Sequence, residues 1–283
     1  MTLHHFTIDV EEYFHASALE RAAPRTAWDG LPHRVEESLR RLTDLMGECD
    51  VRGTLFVLGW VAARHRSLIR ELASAGHEIA SHGWDHRRVT HQRPDEFREC
   101  VRRSKSVLED LTGEAVEGFR APSYSIVPGR EWALDILIEE GYRYDSSLFP
   151  VRRRGYGYAG GGRDPHWLER PSGRLAEVPP ATLRVGGVNL PAGGGAYFRL
   201  LPYGLTRAAF AQAERRGAPA TFYTHPWEID EAQPRLAVSA GTRLRHYGGI
   251  ARMPAQLRRL LSTYRFQPIA DTLRIRAAVR AGR

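Results

Sequence analysis

Apolar and polar positions follow two alternating patterns along the first 150 residues. Short apolar runs typical of buried strands begin near residues 3, 51, 77, 116 and 143. Between them, apolar residues recur every three or four positions, which is the spacing of an amphipathic helix. These helical segments cover residues 34–46, 60–76, 94–113 and 130–142. The alternation predicts an α/β fold of parallel strands with covering helices, either a barrel or an open doubly wound sheet.

The periodic pattern stops over residues 152–196, which are rich in Gly, Pro and aromatic residues. Long segments of this kind are usually functional lids or binding edges. Helices are predicted again at 201–218 and 253–264, with a strand over 220–229. We therefore expect one main domain over residues 1–228 and a short C-terminal extension, 229–283, packed on the barrel.

Composition excludes several classes of protein. With 42% hydrophobic and 26% charged residues, the chain is not disordered, collagenous or a coiled coil. The 41 Lys and Arg against 33 Asp and Glu give a net charge of +8, and Lys105 is the only lysine. No basic block with interleaved aromatics supports a nucleic-acid partner. The positive charge is compatible with a general preference for arginine in a GC-rich genome. It is also compatible with attraction to an anionic glycan, or with peripheral contact of the protein with a membrane surface.

Two further features bear on location. No stretch approaches the roughly 20 apolar residues of a transmembrane span. His4 and His5 stand where a signal peptide would be apolar, so we expect a cytoplasmic protein. The oligomeric state is left open.

Acids and histidines lie where predicted strands end, the place where α/β barrels carry their active sites. Asp9, Glu11 and Glu12 end the first strand, and strand alternation puts Asp9 and Glu11 on one side. His82 and His86 follow the third strand and could reach one metal ion if the loop turns helically. Two imidazoles and one carboxylate form the usual ligand set of a catalytic zinc site.

Three other strand ends carry candidate groups. Arg120 follows an apolar run, and a buried arginine there would pair with a carboxylate, for which Asp9 is the candidate. Asp145 ends the next strand, and His225 ends a late one. An Asp–His pair fixes the tautomer of an imidazole and raises its pKa for acid catalysis.

In chain order, the segments TIDVEE, SHGWDH, FRAPSY, RYDSS and YTHPWE resemble the five motifs of the NodB-homology polysaccharide deacetylases, the fourth carbohydrate esterase family. The resemblance covers roughly residues 3–228. DVEEYFH, HPWEID and the RHYGG and RFQPIADTL tail resemble the subfamily linked to exosortase (PEP-CTERM) exopolysaccharide loci. The resemblance implies a distorted (β/α)7 barrel and a metal-dependent hydrolase that removes N-acetyl groups from amino sugars of a polysaccharide or its precursor.

The resemblance also implies roles for individual residues. Asp9, held by Arg120, would be the general base, and His225, oriented by Asp145, the general acid. The metal, expected to be Zn²⁺, would be held by Glu11, His82 and His86. The substrate would be contacted by Trp84, Ser123, Tyr124 and Trp227.

The chain departs from the family pattern at two places that matter for these roles. The first motif usually has two adjacent aspartates, but Val10 follows Asp9, so the metal ligand moves to Glu11 or Glu12. Glu11 is favoured because it shares the strand face of Asp9. Ser123 stands where an aromatic residue is common, which leaves the oxyanion donor open between the backbone N–H groups near Ser123 and Tyr124.

Three rival functions follow from the same sequence. The same fold could serve a C–N hydrolase of a small linear or cyclic amide. A closed pocket at residues 155–197 would favour this small substrate, whereas a long open groove would favour a polymer. The chain could be a catalytically inactive glycan-binding protein, although all five motifs keep their polar residue types. An arginine-rich nucleic-acid binder would show steep salt dependence and no bound metal.

Overall fold

The computed structural model describes residues 2–153 and 155–273. In that part of the chain, short strands alternate with helices. The strands are β1 (Leu3–Val10), β2 (Thr54–Val57), β3 (Glu78–Ser81), β4 (Gly118–Phe119), β5 (Tyr144–Asp145), β6 (His166–Arg170), β7 (Gly173–Glu177), β8 (Thr182–Val185), β9 (Val188–Pro191), β10 (Thr221–Thr224) and β11 (Arg265–Phe266). The α-helices are α1 (Val35–Glu48), α2 (Gly59–Arg64), α3 (Arg66–Ser74), α4 (Pro94–Thr112), α5 (Trp132–Glu139), α6 (Gly195–Leu200), α7 (Tyr203–Arg215), α8 (Ala240–Tyr247) and α9 (Met253–Thr263).

The strands form a parallel sheet in the order β10-β1-β2-β3-β4-β5-β7. β6 pairs antiparallel with β7 at the end of this order. Beyond β7 the chain turns back toward the other end, where the Ala181 N–H donates to the Thr221 carbonyl (2.9 Å) and the Tyr223 N–H to the Gly193 carbonyl (2.7 Å). The predicted α/β class with parallel strands and covering helices is confirmed, with the strand order of a distorted seven-stranded arrangement.

β1 pairs with β10, β2 and β11, and it is buried on both faces. Phe6, Ile8 and Val10 are fully buried, and so are His4 and His5. A parallel strand covered on both sides has this character, since neither face meets water. His4 and His5 are therefore part of the packed interior: His4 stacks among Phe210, Tyr264 and Phe266.

Two predictions about secondary structure were wrong. The single helix predicted over 60–76 is two helices, because His65 leaves the helical conformation (φ −116°, ψ 49°) between α2 and α3. The irregular stretch 152–196 contains two antiparallel hairpins, β6–β7 and β8–β9. Gly186 and Gly187, both with positive φ, connect the paired Val185 and Val188. A Gly-Gly pair between two valines is a two-residue hairpin signal that the sequence does contain.

The C-terminal part of the described chain returns to the sheet. β11 pairs in parallel with the start of β1, at Leu3 and His4. The predicted boundary between residues 228 and 229 stays a prediction. Among the described helices, none combines the length and the apolar character that crossing a lipid bilayer requires.

Candidate active site

The carboxyl ends of the parallel strands open into a cleft of about 290 Å³. Asp9 lies at the end of β1, His82 directly after β3, and His225 directly after β10. All three line the cleft, together with Glu11 and His86. Neighbouring parallel strands end at the same edge of a sheet, which is why residues far apart in the sequence meet here.

Glu11, His82 and His86 form a compact group of potential metal ligands. One ligand atom from each residue lies within 4.8 Å of the other two, and all three side chains are buried. Glu11 Oε2 is 2.9 Å from His86 Nε2. The His82 Nδ1–H donates to the carbonyl of Arg120 (2.8 Å), which leaves the Nε2 lone pair of His82 available to a metal.

The protonation states of this group suit a divalent cation. Burial opposes the charge on Glu11, but the neighbouring His86, His225 and His82 outweigh it and hold the pKa of the Glu11 carboxyl well below its usual range. Burial lowers the pKa of His82 to about 4. Glu11 Oε2 is buried and, among the residues that the structure describes, has no hydrogen-bond partner of good geometry, although His86 Nε2 lies 2.9 Å away. An anionic carboxylate and a neutral imidazole are the forms that bind metals, so Glu11 and His82 fit a metal ion, and His86 Nε2 lies beside them.

Glu12 points away from this group. Its carboxylate accepts the N–H groups of Arg34 (2.9 and 3.0 Å) and Val35 (3.1 Å) at the start of α1. Burial raises the pKa of Glu12 to about 7. Of the two acids left open by the sequence, the structure places Glu11 beside the histidines and uses Glu12 to cap a helix.

The loop that carries the two histidines does not turn helically, contrary to the condition set in the sequence analysis. Gly83 (φ 76°) and His86 (φ 57°) both have left-handed backbone conformations, and the residues between them are not helical. The four-residue spacing of His82 and His86 therefore works through an irregular turn. Glycine adopts this conformation without strain at position 83, whereas His86 adopts it despite its side chain.

Asp9 and Arg120 form the predicted pair. The Arg120 guanidinium donates to Asp9 Oδ1 and to Thr7 Oγ1, both at 2.7 Å, and to Ser146 Oγ at 2.8 Å. Arg120 is fully buried and Asp9 is 3% exposed. Because Arg120 holds Oδ1, the second carboxylate oxygen of Asp9 faces the cleft, where Oδ2 is 3.8 Å from His225 Nε2.

His225 is surrounded by carboxylates. Its Nε2 is also 3.8 Å from Glu11 Oε1, and its Nδ1–H donates to Glu228 Oε2 at 3.1 Å. Burial disfavours the imidazolium, but the hydrogen bond and charge of Glu228, then the charges of Glu11 and Asp9, raise the pKa of His225 to about 9. The imidazole is therefore held as an acid whose Nε2–H points into the cleft.

Glu228 is in turn fixed by a buried arginine. Glu228 Oε1 accepts the Arg199 Nε–H (2.7 Å), and both side chains are fully buried. Burial opposes ionisation of Glu228, but Arg199 and His225 lower its pKa to about 2. Arg199 also donates to the carbonyls of Gly248 and Arg245. Sequence analysis missed both residues, although Glu228 lies three positions after His225, the spacing of a capping box that the structure forms.

Comparison with known sequences gives a family. The profile of the polysaccharide deacetylase family matches residues 26–137, which include His82, His86 and Arg120. The chain carries a polysaccharide deacetylase domain of the NodB type. A domain of unknown function, DUF3473, matches residues 146–274, which include His225 and Glu228.

A curated relative and two solved structures resemble the deacetylase domain. The peptidoglycan deacetylase of Helicobacter pylori is 26% identical over 113 residues, which are 40% of this chain and 38% of that protein. A Mycobacterium smegmatis protein assigned to the polysaccharide deacetylases superposes with a TM-score of 0.65, 23% identity and coverage of 98% and 90% of the two chains. The PuuE allantoinase superposes with a TM-score of 0.62 and 19% identity, and the superposition covers 95% of this chain and 88% of that one. The two structures establish the fold alone.

The predicted Asp145–His225 pair does not form: the two side chains have other partners. Asp145 accepts the Ser147 Oγ–H (2.6 Å) and the Ser147 N–H (3.1 Å), and it interacts with Glu177. Burial, and then the charge of Asp145, raise the pKa of Glu177 well above its usual range, so that Glu177 is a neutral acid beside Asp145. Asp145 therefore fixes the turn after β5, and Glu228 is the carboxylate on His225.

Two of the aromatic residues predicted to contact substrate have other partners. The Trp84 indole stacks under the Arg103 guanidinium (3.5 Å) and packs on Gly59, away from the residues that line the cleft. Trp227 lines the cleft, but His225 and His246 stack on its indole, with ring centroids 4.9 and 4.2 Å away. Its Nε1–H donates to Glu11 Oε1 (3.0 Å). Trp227 thus orients Glu11 and offers little open face to a sugar.

Ser123 and Tyr124 do line the cleft. Both have positive φ (55° and 53°), an unusual conformation for two successive residues with side chains. The Tyr124 N–H already donates to the Ala121 carbonyl (3.0 Å). Tyr156 and Tyr197, from the Gly- and aromatic-rich stretch, complete this wall and share a hydrogen bond of 2.7 Å between their hydroxyls.

We expect His86→Ala to lose Zn²⁺ from the group of Glu11, His82 and His86, because one of three ligand atoms is removed while the strands below remain intact. After dialysis against a competing chelator, elemental analysis should show about one equivalent less Zn²⁺ per chain than in the wild type. His91→Ala, at an exposed histidine in the next turn, is the matched control and should retain the wild-type amount. Equal zinc content in His86→Ala and the wild type would contradict the site.

Proposed function

We propose that this protein is a metal-dependent N-deacetylase that acts on N-acetylated amino sugars of a polysaccharide or its precursor, in exopolysaccharide biosynthesis. The observation that carries the proposal is the arrangement of the cleft: a fixed carboxylate, Asp9, and a protonated histidine, His225, flank the metal-binding group. The deacetylase profile and the H. pylori relative support the same reaction class.

Zn²⁺ is the cofactor that suits a set of one carboxylate and two imidazoles with a position left for water. When bound, Zn²⁺ would supply Lewis acidity toward water and the acetamide oxygen. Glu11, His82 and His86 would hold it. The Trp227 Nε1–H and the Arg120 carbonyl, which contact Glu11 and His82, would keep these ligands oriented.

Asp9 is suited to accept the proton of the attacking water. Arg120 holds Oδ1, so the carboxylate cannot rotate freely, and Oδ2 is left toward the cleft. His225 stands on the other side of Oδ2 and carries a proton on Nε2. As the C–N bond breaks, this proton passes to the departing amine, which leaves poorly as an anion.

The developing negative charge on the acetamide oxygen needs a donor besides the metal. The Tyr124 N–H already donates to the Ala121 carbonyl, which leaves the Ser123 N–H as the backbone donor to this oxygen. The Ser123 hydroxyl is held by Ser17 Oγ at 2.7 Å. The left-handed conformation of Ser123 directs this part of the chain into the cleft wall.

The size and lining of the cleft favour a sugar residue of a larger glycan. A volume of about 290 Å³ is near the lower end for ligand sites, enough for one saccharide unit. Arg88 and Arg245 lie at the lining, and they suit the hydroxyl and anionic groups of a glycan. The expected cytoplasmic location stays a prediction.

The direct test is acetate release by Zn²⁺-loaded protein from an N-acetylglucosamine oligomer, with allantoin and acetamide as small-amide substrates in parallel. We expect acetate from the oligomer and slow or no hydrolysis of the small amides. Hydrolysis confined to the small amides would support the C–N hydrolase alternative. Binding of the oligomer without turnover would support an inactive glycan-binding protein, and either result would overturn the proposal.

We expect Asp9→Asn to retain Zn²⁺ and to lose most of the rate of acetate release. The amide can still accept a hydrogen bond from Arg120, but it cannot take a proton from water. A general base typically contributes about 10²–10⁴-fold. Asp95→Asn, the same exchange at an exposed position of α4, should leave kcat unchanged. Near-normal turnover in zinc-loaded Asp9→Asn would remove Asp9 from the mechanism.

We expect Glu228→Gln to move the alkaline limb of the pH–rate profile to lower pH. The acid form of His225 is active, so the rate falls as pH rises through its pKa, and Glu228 is the group that raises this pKa most. Asp145→Asn should leave the position of the limb unchanged, because Asp145 contacts Ser147 and Glu177 instead. A limb that moves with Asp145→Asn and not with Glu228→Gln would restore the pairing predicted from the sequence.

A further inference from the structure

A second group of potential metal ligands lies behind the cleft. One ligand atom from each of Glu12, His33 and His65 lies within 4.8 Å of the other two. The three residues come from separate parts of the chain: Glu12 from the end of β1, His33 from the segment before α1, and His65 from the break between α2 and α3. None of them belongs to the group formed by Glu11, His82 and His86.

His65 is prepared as a ligand by its own surroundings. Its Nδ1–H points to Glu36 Oε2 at 3.2 Å, and its side chain is 14% exposed. Its other ring nitrogen, Nε2, is buried and has no hydrogen-bond partner among the residues that the structure describes. A carboxylate on one ring nitrogen fixes the tautomer and leaves a lone pair on the other, which is the usual arrangement of a metal-bound histidine.

Glu12 is a buried carboxylate that forms no direct side-chain ion pair among the described residues, although the charge of Arg34 acts on it. Its hydrogen bonds come from the N–H groups of Arg34 and Val35. The guanidinium of Arg34 is turned to Asp230 (2.8 and 2.9 Å) and to Glu37 (2.9 Å). Within residues 2–153 and 155–273, no Lys, Arg or His nitrogen forms a side-chain ion pair with Glu12. Burial disfavours the charged form of Glu12, so a cation bound beside this carboxylate would stabilise it.

His33 supplies the third ligand and the access route. It is exposed, whereas Glu12 is buried and His65 is half-buried. Its ring lies 6.1 Å from that of His65 and 5.4 Å from that of Trp60, centroid to centroid. A cation can therefore reach the group from solvent.

We propose that Glu12, His33 and His65 form a second divalent-metal site, selective for Zn²⁺-like ions, that is separate from the active site. Two imidazoles and one carboxylate are the donor set for such ions, and water would complete the coordination. The bound ion would tie the start of α1 and the junction of α2 and α3 to the end of β1. Its role is structural, since the ligands face away from the cleft.

The test is a titration of metal-free protein with Zn²⁺, in which calorimetry measures the number of ions bound and the melting temperature is measured in parallel. The wild type should bind two equivalents per chain, and His33→Gln and His65→Gln should each bind one. His91→Gln, an exposed histidine outside both groups, should bind two. His86→Ala should lose the other equivalent and keep the one that depends on His33.

The melting temperature provides an independent readout. Zn²⁺ beyond the first equivalent should raise it in the wild type and in His91→Gln, and should not raise it in His33→Gln or His65→Gln. One equivalent in the wild type would overturn the second site. Two equivalents retained in both His33→Gln and His65→Gln would overturn it as well. His33 is exposed, so a failure of His65→Gln to fold would not prevent the measurement.

Discussion

The fully buried guanidinium of Arg120 is the constraint on which the cleft depends. Removing this charge from water is costly, and the cost is offset only if every donor finds a partner. Asp9, Thr7 and Ser146 provide those partners, and the ring of Phe56 lies 4.0 Å from the guanidinium carbon. Arg120 thereby links β1, β4 and the turn after β5. The reactive oxygen of Asp9 is placed by the same interaction that satisfies the buried charge.

A second buried arginine repeats this arrangement on the opposite side of the cleft. Arg199 is paired with Glu228, and Glu228 holds His225. Each of the two proposed proton-transfer groups is thus fixed by an arginine beneath it, Asp9 directly and His225 through a carboxylate. Arg120 fixes the orientation of the Asp9 carboxylate, whereas Glu228 favours the cation of His225. A proton acceptor and a proton donor are thus held within the same cleft.

The sequence predicted the parallel α/β fold, the Asp9–Arg120 pair and the group of Glu11, His82 and His86, because strand ends and residue types are local properties. The partner of His225 was predicted wrongly, although Glu228 stands only three positions after it. Asp145 is a carboxylate at a neighbouring strand end, but its side chain bonds to Ser147 only two residues away, and a local bond of this kind forms without long-range assembly. The break between α2 and α3 at His65 could not be predicted, because the helical pattern of apolar residues continues through it.

The pair Glu11–Glu12 shows how strand geometry divides two like charges. Successive side chains along extended backbone point to opposite sides, so the adjacent carboxylates just after β1 need not share one site. Glu11 faces the cleft and the indole of Trp227, while Glu12 faces the first turn of α1. One peptide bond joins them. The backbone of two adjacent residues therefore connects the start of α1 to the group of Glu11, His82 and His86 in the cleft.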